Sequence, residues 1–249
     1  IGIAMGGRGT DVAREAAAIV LLDDDFGSIV RTIRLGRRIY DNLRKAMGYI
    51  LAVHVPIAGM SLLPLIFGTP LVFMPLHIAF IEMVIDPVCS IVFEAEREED
   101  DVMARKPRDW RSPLFSGALA GWGLAQGALV LLLVAAIYAM ALRRGLSDGE
   151  TRALTFVSLV FTYLGLIFVN RSYTASLRAV LGRPNLFLWI AVAAAVGVLA
   201  LVLFWPAASG IFRFGPLRAD DLGVCIGAGA ATLILLELLK PLWRGRLAA

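Results

Sequence analysis

The sequence predicts a predominantly α-helical membrane protein, a bundle of six transmembrane helices preceded by a short βαβ element. Three observations predict it. Of the 249 residues, 59% are hydrophobic and 18% charged, whereas soluble chains are about half apolar and a quarter charged. Several apolar stretches reach the roughly 20 residues a helix needs to cross the hydrocarbon core. Lys and Arg are gathered in the connections between those stretches, where they act as topology signals.

Residues 1–28 read as a soluble piece. Ile1 to Met5 suits a buried strand, and Gly6-Gly7-Arg8-Gly9 is a turn. Thr10 or Asp11 caps a helix running through Ala18, with Asp11 and Glu15 near its positive end. Ile19 to Leu22 is a second strand, ended by Asp23-Asp24-Asp25, which read as a solvated turn and not a metal site. This βαβ element is too small to make its own core. Residues 29–46 interleave Arg31, Arg34, Arg37, Arg38, Arg44 and Lys45 with Ile33, Leu35, Ile39, Tyr40 and Leu43 at helical spacing. With no break before the next apolar run, one long helix is expected to carry on into the membrane.

The membrane domain is expected over residues 47–249, with spans at about 47–67, 71–93, 114–142, 153–170, 185–205 and 222–239. Basic residues fall before the first span, after the second (Arg97, Arg105, Lys106, Arg108, Arg111), after the fourth (Arg171, Arg178, Arg183) and in the tail (Lys240, Arg244, Arg246). The alternate connections hold none, then Arg143 and Arg144, then Arg213 and Arg218. Both termini are therefore expected on the cytoplasmic side. The protein is expected to be integral to a membrane, the cell membrane first, with the lipid bilayer as its main surroundings.

Other classes find little support. No basic-plus-aromatic pattern lies outside the spans, so nucleic acid is not an expected partner. Cys89 and Cys225 both sit in apolar runs, which argues against a disulfide framework. There is no Gly-rich phosphate loop ending in Lys and Ser or Thr, no Ser/His/Asp arrangement and no paired CxxC. The chain opens on Ile1 without a signal peptide, which suggests part of a longer protein.

Chemistry is concentrated in the second span. An ionisable group there costs ~2.5–3.5 kcal/mol to insert, yet Glu82 and Asp86 stand four apart, on one helix face. Paired carboxylates tolerate each other when a cation or proton lies between them. Pro87 has no N–H and leaves the carbonyl of Met83 unpartnered. Freed carbonyls beside carboxylates suit a hard cation. His54, with Pro56 two residues on, is the candidate third member from the first span. The competing reading is a structural carboxylate pair hydrogen-bonded to neighbouring helices. His77 is expected at the interface, Cys89 as a small hydrophobe, Glu237 paired with a base, and Gly117, Gly121, Gly123 and Gly127 at close helix contacts.

Four motifs occur in order over the first 45 residues: Ile1-Gly-Ile-Ala-Met-Gly6, Gly9-Thr-Asp-Val-Ala-Arg-Glu-Ala-Ala17, Val20-Leu-Leu-Asp-Asp-Asp-Phe26 and Gly36-Arg-Arg-Ile-Tyr-Asp-Asn-Leu-Arg-Lys45. Together they resemble the phosphorylation-domain end and stalk of P-type cation-transporting ATPases. Met103-Ala-Arg-Lys-Pro-Arg108, and more loosely Asn170-Arg-Ser172 and Ile211-Phe-Arg213, resemble the calcium-pump-like (type II) branch. The resemblance implies that residues 1–28 end a haloacid-dehalogenase-like phosphorylation domain, residues 29–46 are a cytoplasmic stalk helix, and the spans are membrane helices five to ten. The phosphorylated aspartate and the nucleotide-binding domain would lie in a missing N-terminal part of the same pump, so ATP and magnesium belong to the parent protein only. No catalytic residue is expected in this chain.

The resemblance also implies a metal site at Asp86, Glu82 and His54. Asp86 keeps the family's aspartate, while Glu82 and His54 each replace an amide. Ile57 and Ile85 stand where calcium pumps carry a carboxylate and a hydroxyl, and nothing near Leu164 replaces a further carboxylate. One divalent cation fits better than two, with calcium first and manganese or magnesium as alternatives. The expected function is the C-terminal membrane part of an ATP-driven pump. The alternative is a standalone six-helix protein acting as a passive ion-binding or docking subunit.

Overall fold

The computed structural model describes residues 1–108, 111, 113–173, 175, 179 and 182–247, and of residues 84–86, 88 and 89 the backbone alone. The chain divides into two units, residues 1–41 with 98–108 and residues 42–97 with 109–249.

In the first unit, β1 (Ile3–Met5) pairs in parallel with β2 (Ile19–Leu21), Ile3 opposite Ile19 and Met5 opposite Leu21. The crossover is α1 (Asp11–Ala16), shorter than its sequence suggests and capped by the Thr10 hydroxyl, which accepts from the amide of Ala13. Ala4 and Leu21 are buried, but Ile1, Val12, Leu22 and Phe26 are exposed. The aspartate run is consumed by local bonding. Asp24 has φ 54° and accepts the amides of Gly7 at 2.8 Å and Arg8 at 3.0 Å. Asp23 takes the Ser28 hydroxyl, and Asp25 the amide of Gly27 and the guanidinium of Arg31. These bonds hold both carboxyls below their ordinary range. They form a turn, as the sequence suggests.

The long helix α2 (Gly27–Phe67) runs unbroken through residues 29–46 into the first apolar run. In the first unit, its Arg37 donates to the carbonyls of Val102 and Arg105, at 2.8 and 2.9 Å. Arg105 in turn reaches Asp41 at 2.8 Å and Asp101 at 2.7 Å.

Among the described residues, five helices are long and apolar enough to cross a membrane: α2, α5 (Gly117–Arg143), α6 (Asp148–Asn170), α7 (Leu186–Phe204) and α9 (Ala219–Leu247). A short α8 (Pro206–Phe212) lies between the last two. The sixth hydrophobic segment is three consecutive pieces instead of one helix. These are α3 (Pro75–Phe80), a π-helical turn (Ile81–Ile85) and α4 (Asp86–Glu94). Pro75 sits at the start of α3, where a missing N–H costs nothing. Pro87, just inside α4, disturbs the turn before it.

In the second unit, α6 is the axis. Its most apolar stretch is 89% buried, against 28–39% for the other long helices. It packs against α9 so closely that a Cβ on Gly165 would lie 2.7 Å from the Gly229 carbonyl oxygen, an approach only glycine allows. On α5, Gly127 does the same against the Ala52 carbonyl of α2, at 2.7 Å, as the sequence anticipates for these glycines. The Tyr163 hydroxyl of α6 donates to the Val53 carbonyl at 2.7 Å. These contacts fix the turn of α2 that carries His54.

Candidate cation site

His54 lies in the apolar half of α2, two residues before Pro56, which offers no amide to the preceding turn. Its Nδ1 is 2.7 Å from the carbonyl oxygen of Ile50. A carbonyl only accepts, so Nδ1 carries the hydrogen, and in the neutral ring Nε2 holds the lone pair. That Nε2 stands 3.4 Å from Oε1 of Glu82. A lone pair against a carboxylate repels, and a proton or metal ion between them removes the repulsion. The side chains are 48% and 36% exposed, so neither is locked into a dry core.

Glu82 is in the π-helical turn. Single π turns open the i→i+4 ladder and are frequent at functional sites. In their i→i+5 register the amide of Asp86 reaches back to Ile81, and Pro87 has no amide. The carbonyls of Glu82 and Met83 thereby lose the partners that an unbroken α-helix would supply. The sequence reading foresaw the loss at Met83. It did not foresee the wider turn, which adds Glu82.

The structure therefore brings together two of the three expected ligands, His54 and Glu82. Asp86 opens α4, but its carboxylate lies outside the described atoms, as do the Cys89 side chain and Arg178. Among the described residues no three His, Cys, Asp or Glu converge on one point. Ile57 is 7% exposed and brings no polar atom.

His77 is expected at the interface from the sequence. It is fully buried. Nδ1 accepts the Met74 amide at 3.1 Å, so Nε2–H donates to the Phe212 carbonyl at 3.0 Å. Phe156, Phe212 and Phe214 surround it at 5.3–5.5 Å. It ties the start of α3 to the end of α8. Glu237 pairs with Lys240, as expected.

Sequence reasoning missed a second cluster. Glu96, after α4, takes Arg171 Nε at 2.7 Å and a second guanidinium nitrogen at 3.2 Å, and both residues are 1% exposed. Asn185, the N-cap of α7, donates to the same carboxylate at 3.0 Å, and Asn42 of α2 donates to the Glu96 carbonyl at 2.8 Å. In the sequence Arg171 reads as a topology signal and as part of the Asn170-Arg-Ser172 resemblance, with no partner named. The available hint was an acidic residue just beyond one span and an arginine capping another.

The family described as "Cation transporting ATPase, C-terminus" matches residues 70–242. The "Calcium-transporting ATPase" of Bacillus subtilis is 31% identical over 95% of this chain and 26% of its own length. The "Calcium-transporting ATPase type 2C member 1" of Homo sapiens is 26% identical over 99% of this chain and 27% of its own. The chain spans about a quarter of the length of these relatives.

Proposed function

This chain belongs to the P-type cation-transporting ATPases, and we propose that it supplies the C-terminal membrane half of an ATP-driven pump, holding a divalent cation at His54, Glu82 and Asp86. The observation that carries the site is the Nε2 of His54 standing 3.4 Å from Oε1 of Glu82, beside a π-helical turn. Asp86 joins it on the family resemblance. The relatives' names put calcium at the head of the ions to assay, beside manganese and magnesium.

On this reading α3, the π turn and α4 together make the second of six spans. Residues 1–28 close a haloacid-dehalogenase-like domain, and ATP and magnesium act in the part of the pump upstream. Both termini face the cytoplasm, and the cell membrane is the natural location. A match to the end of much longer ATPases favours this over a self-contained ion-binding or docking protein.

The test is ATP-dependent cation uptake into vesicles by the full-length pump that contains this chain. Glu82→Gln and Asp86→Asn are each expected to cut uptake at least tenfold without loss of the folded protein. Uptake that survives both changes moves the site elsewhere.

A further inference from the structure

We propose that the end of the second unit where α7 finishes and α6 begins binds one anionic phospholipid, with an acyl chain in a cavity between α7, α8 and α9 and the phosphate on Arg213 and Arg218. This goes beyond the pump reading and does not depend on the cation site.

A cavity of about 360 Å³ is lined by Leu203 and Phe204 of α7, Ser209 of α8, Phe214 and Leu217 of the loop that follows, and Leu222 of α9. That volume is within the range of small-molecule sites. Ser209 brings the one polar side chain among the described residues that line it, and its hydroxyl already donates to the Pro206 carbonyl at 3.2 Å. The walls therefore suit a hydrocarbon. Phe204, Trp205 and Ile211 beside the cavity are exposed. In a membrane protein such surface faces lipid, and a tryptophan at the end of an apolar helix sits at headgroup level. Acyl chains are the apolar material at hand there.

Charge at the rim selects the headgroup. Arg213 directly precedes Phe214, and Arg218 directly follows Leu217. Arg213 is exposed, and among the described residues its guanidinium has no hydrogen bond or ion pair. Arg218 is 76% exposed and stands 3.9 Å from an equally open Asp220, a pair that contributes little. A third arginine, Arg152 of α6, donates to the Arg213 carbonyl at 2.9 Å, and its Nε is buried with no hydrogen-bond partner. Two of the neighbouring acids are engaged elsewhere. Glu150 accepts from Ser147, and Asp221 from Arg144 and the Arg218 amide. Guanidinium forks match phosphate oxygens. Hydrocarbon walls and a basic rim on one loop fit an amphiphile with net negative charge. A choline headgroup would bring its own cation to that rim. Phe214 is also one of the rings around His77, so the bound chain braces the junction of α3 with α8.

The experiment uses the full-length pump in phosphatidylcholine nanodiscs with a trace of phosphatidylglycerol carrying a photoactivatable diazirine on one acyl chain. Adducts are mapped by peptide mass spectrometry. Labelling of Leu203, Ser209 and Leu217 is expected to exceed that of Phe187 and Ile190, exposed at the other end of α7, by about fivefold, as an enclosed site holds its ligand longer than open surface. A phosphatidylcholine probe with the same chain is expected to label the cavity about fivefold less. Arg213→Gln combined with Arg218→Gln should bring the two probes level, and Ser209→Trp, which fills the cavity, should remove the adducts on Leu203 and Leu217. Should S209W fail to accumulate, the arginine variant, which leaves the cavity walls alone, still decides. Equal labelling along α7 would mean boundary lipid only and overturns the proposal. So does equal labelling by the two probes in the wild type, a headgroup preference that survives loss of both arginines, or labelling that survives a filled cavity.

Discussion

His77 is fully buried, with one ring nitrogen accepting a backbone amide, the other donating to a backbone carbonyl, and three phenylalanine rings around it. His54, the only other histidine, leaves about half its side chain exposed and gives one nitrogen to its own helix. The second nitrogen stands 3.4 Å from the partly exposed Glu82 carboxylate. The same contrast separates the acids. Glu96 is buried with Arg171 and Asn185 on its oxygens, while Glu82 sits in a loosened turn beside His54. A polar group inside a membrane domain is costly, and the protein settles that cost in two ways. Where every donor and acceptor is matched within the chain, the group holds helices together. Where the side chains stay partly exposed beside a loosened turn, the group is accessible to a ligand.

The largest test of this contrast is Arg171→Ala. It leaves the buried Glu96 carboxylate without its cation, with Asn185 still donating to it, and breaking a buried pair from one side costs about 3–5 kcal/mol. Thermal unfolding of the solubilised pump should show it, and Glu96→Leu with Arg171→Met together should recover much of the loss. A cost below about 1 kcal/mol would mean that water reaches the pair. Next comes His77→Ala, which removes two backbone hydrogen bonds and opens a void among aromatic rings, for about 2–4 kcal/mol. His54→Ala, at a half-exposed position, should cost within about 0.5 kcal/mol of nothing. Equal losses at the two histidines would erase the distinction drawn between them.

Much of this was legible in the sequence. Apolar runs and basic connections located the long helices, because a bilayer demands about 20 apolar residues and little else. The continuity of α2 followed from the absence of a break between its basic and apolar halves. His54 was named beside Glu82 first from the proline two residues on and then by resemblance, and the two side chains approach to 3.4 Å. Three things were hidden. The π turn needs knowledge of how Pro87 is accommodated, and proline alone does not say whether a helix kinks, stops or widens. The burial of His77 depends on Phe156, Phe212 and Phe214, which lie far along the chain. The Glu96–Arg171 pair joins residues 75 apart, and a charge at the end of a span looks the same whether it meets water or a buried partner.

The smallest effect sharpens the contrast from the first unit. In the first unit Arg105 holds Asp101, whose side chain is 50% exposed, and also Asp41. The hydrogen bond from Arg105 is the main cause that holds the Asp101 carboxyl below its ordinary value of 3.8. A depressed carboxyl contributes stability that is fully present above the unfolded value and is lost as pH falls through the folded one. Water and salt screen an exposed pair, so its contribution should be about 0.2–1 kcal/mol. Asp101→Asn should therefore lower stability only slightly at pH 7, since Arg105 keeps Asp41. The gap between variant and wild type should close as pH falls below 3.8 and shrink in high salt. A gap that persists in acid would assign the loss to packing, and one as large as at Arg171 would show that exposure is no guide to which ion pairs in this protein bear weight.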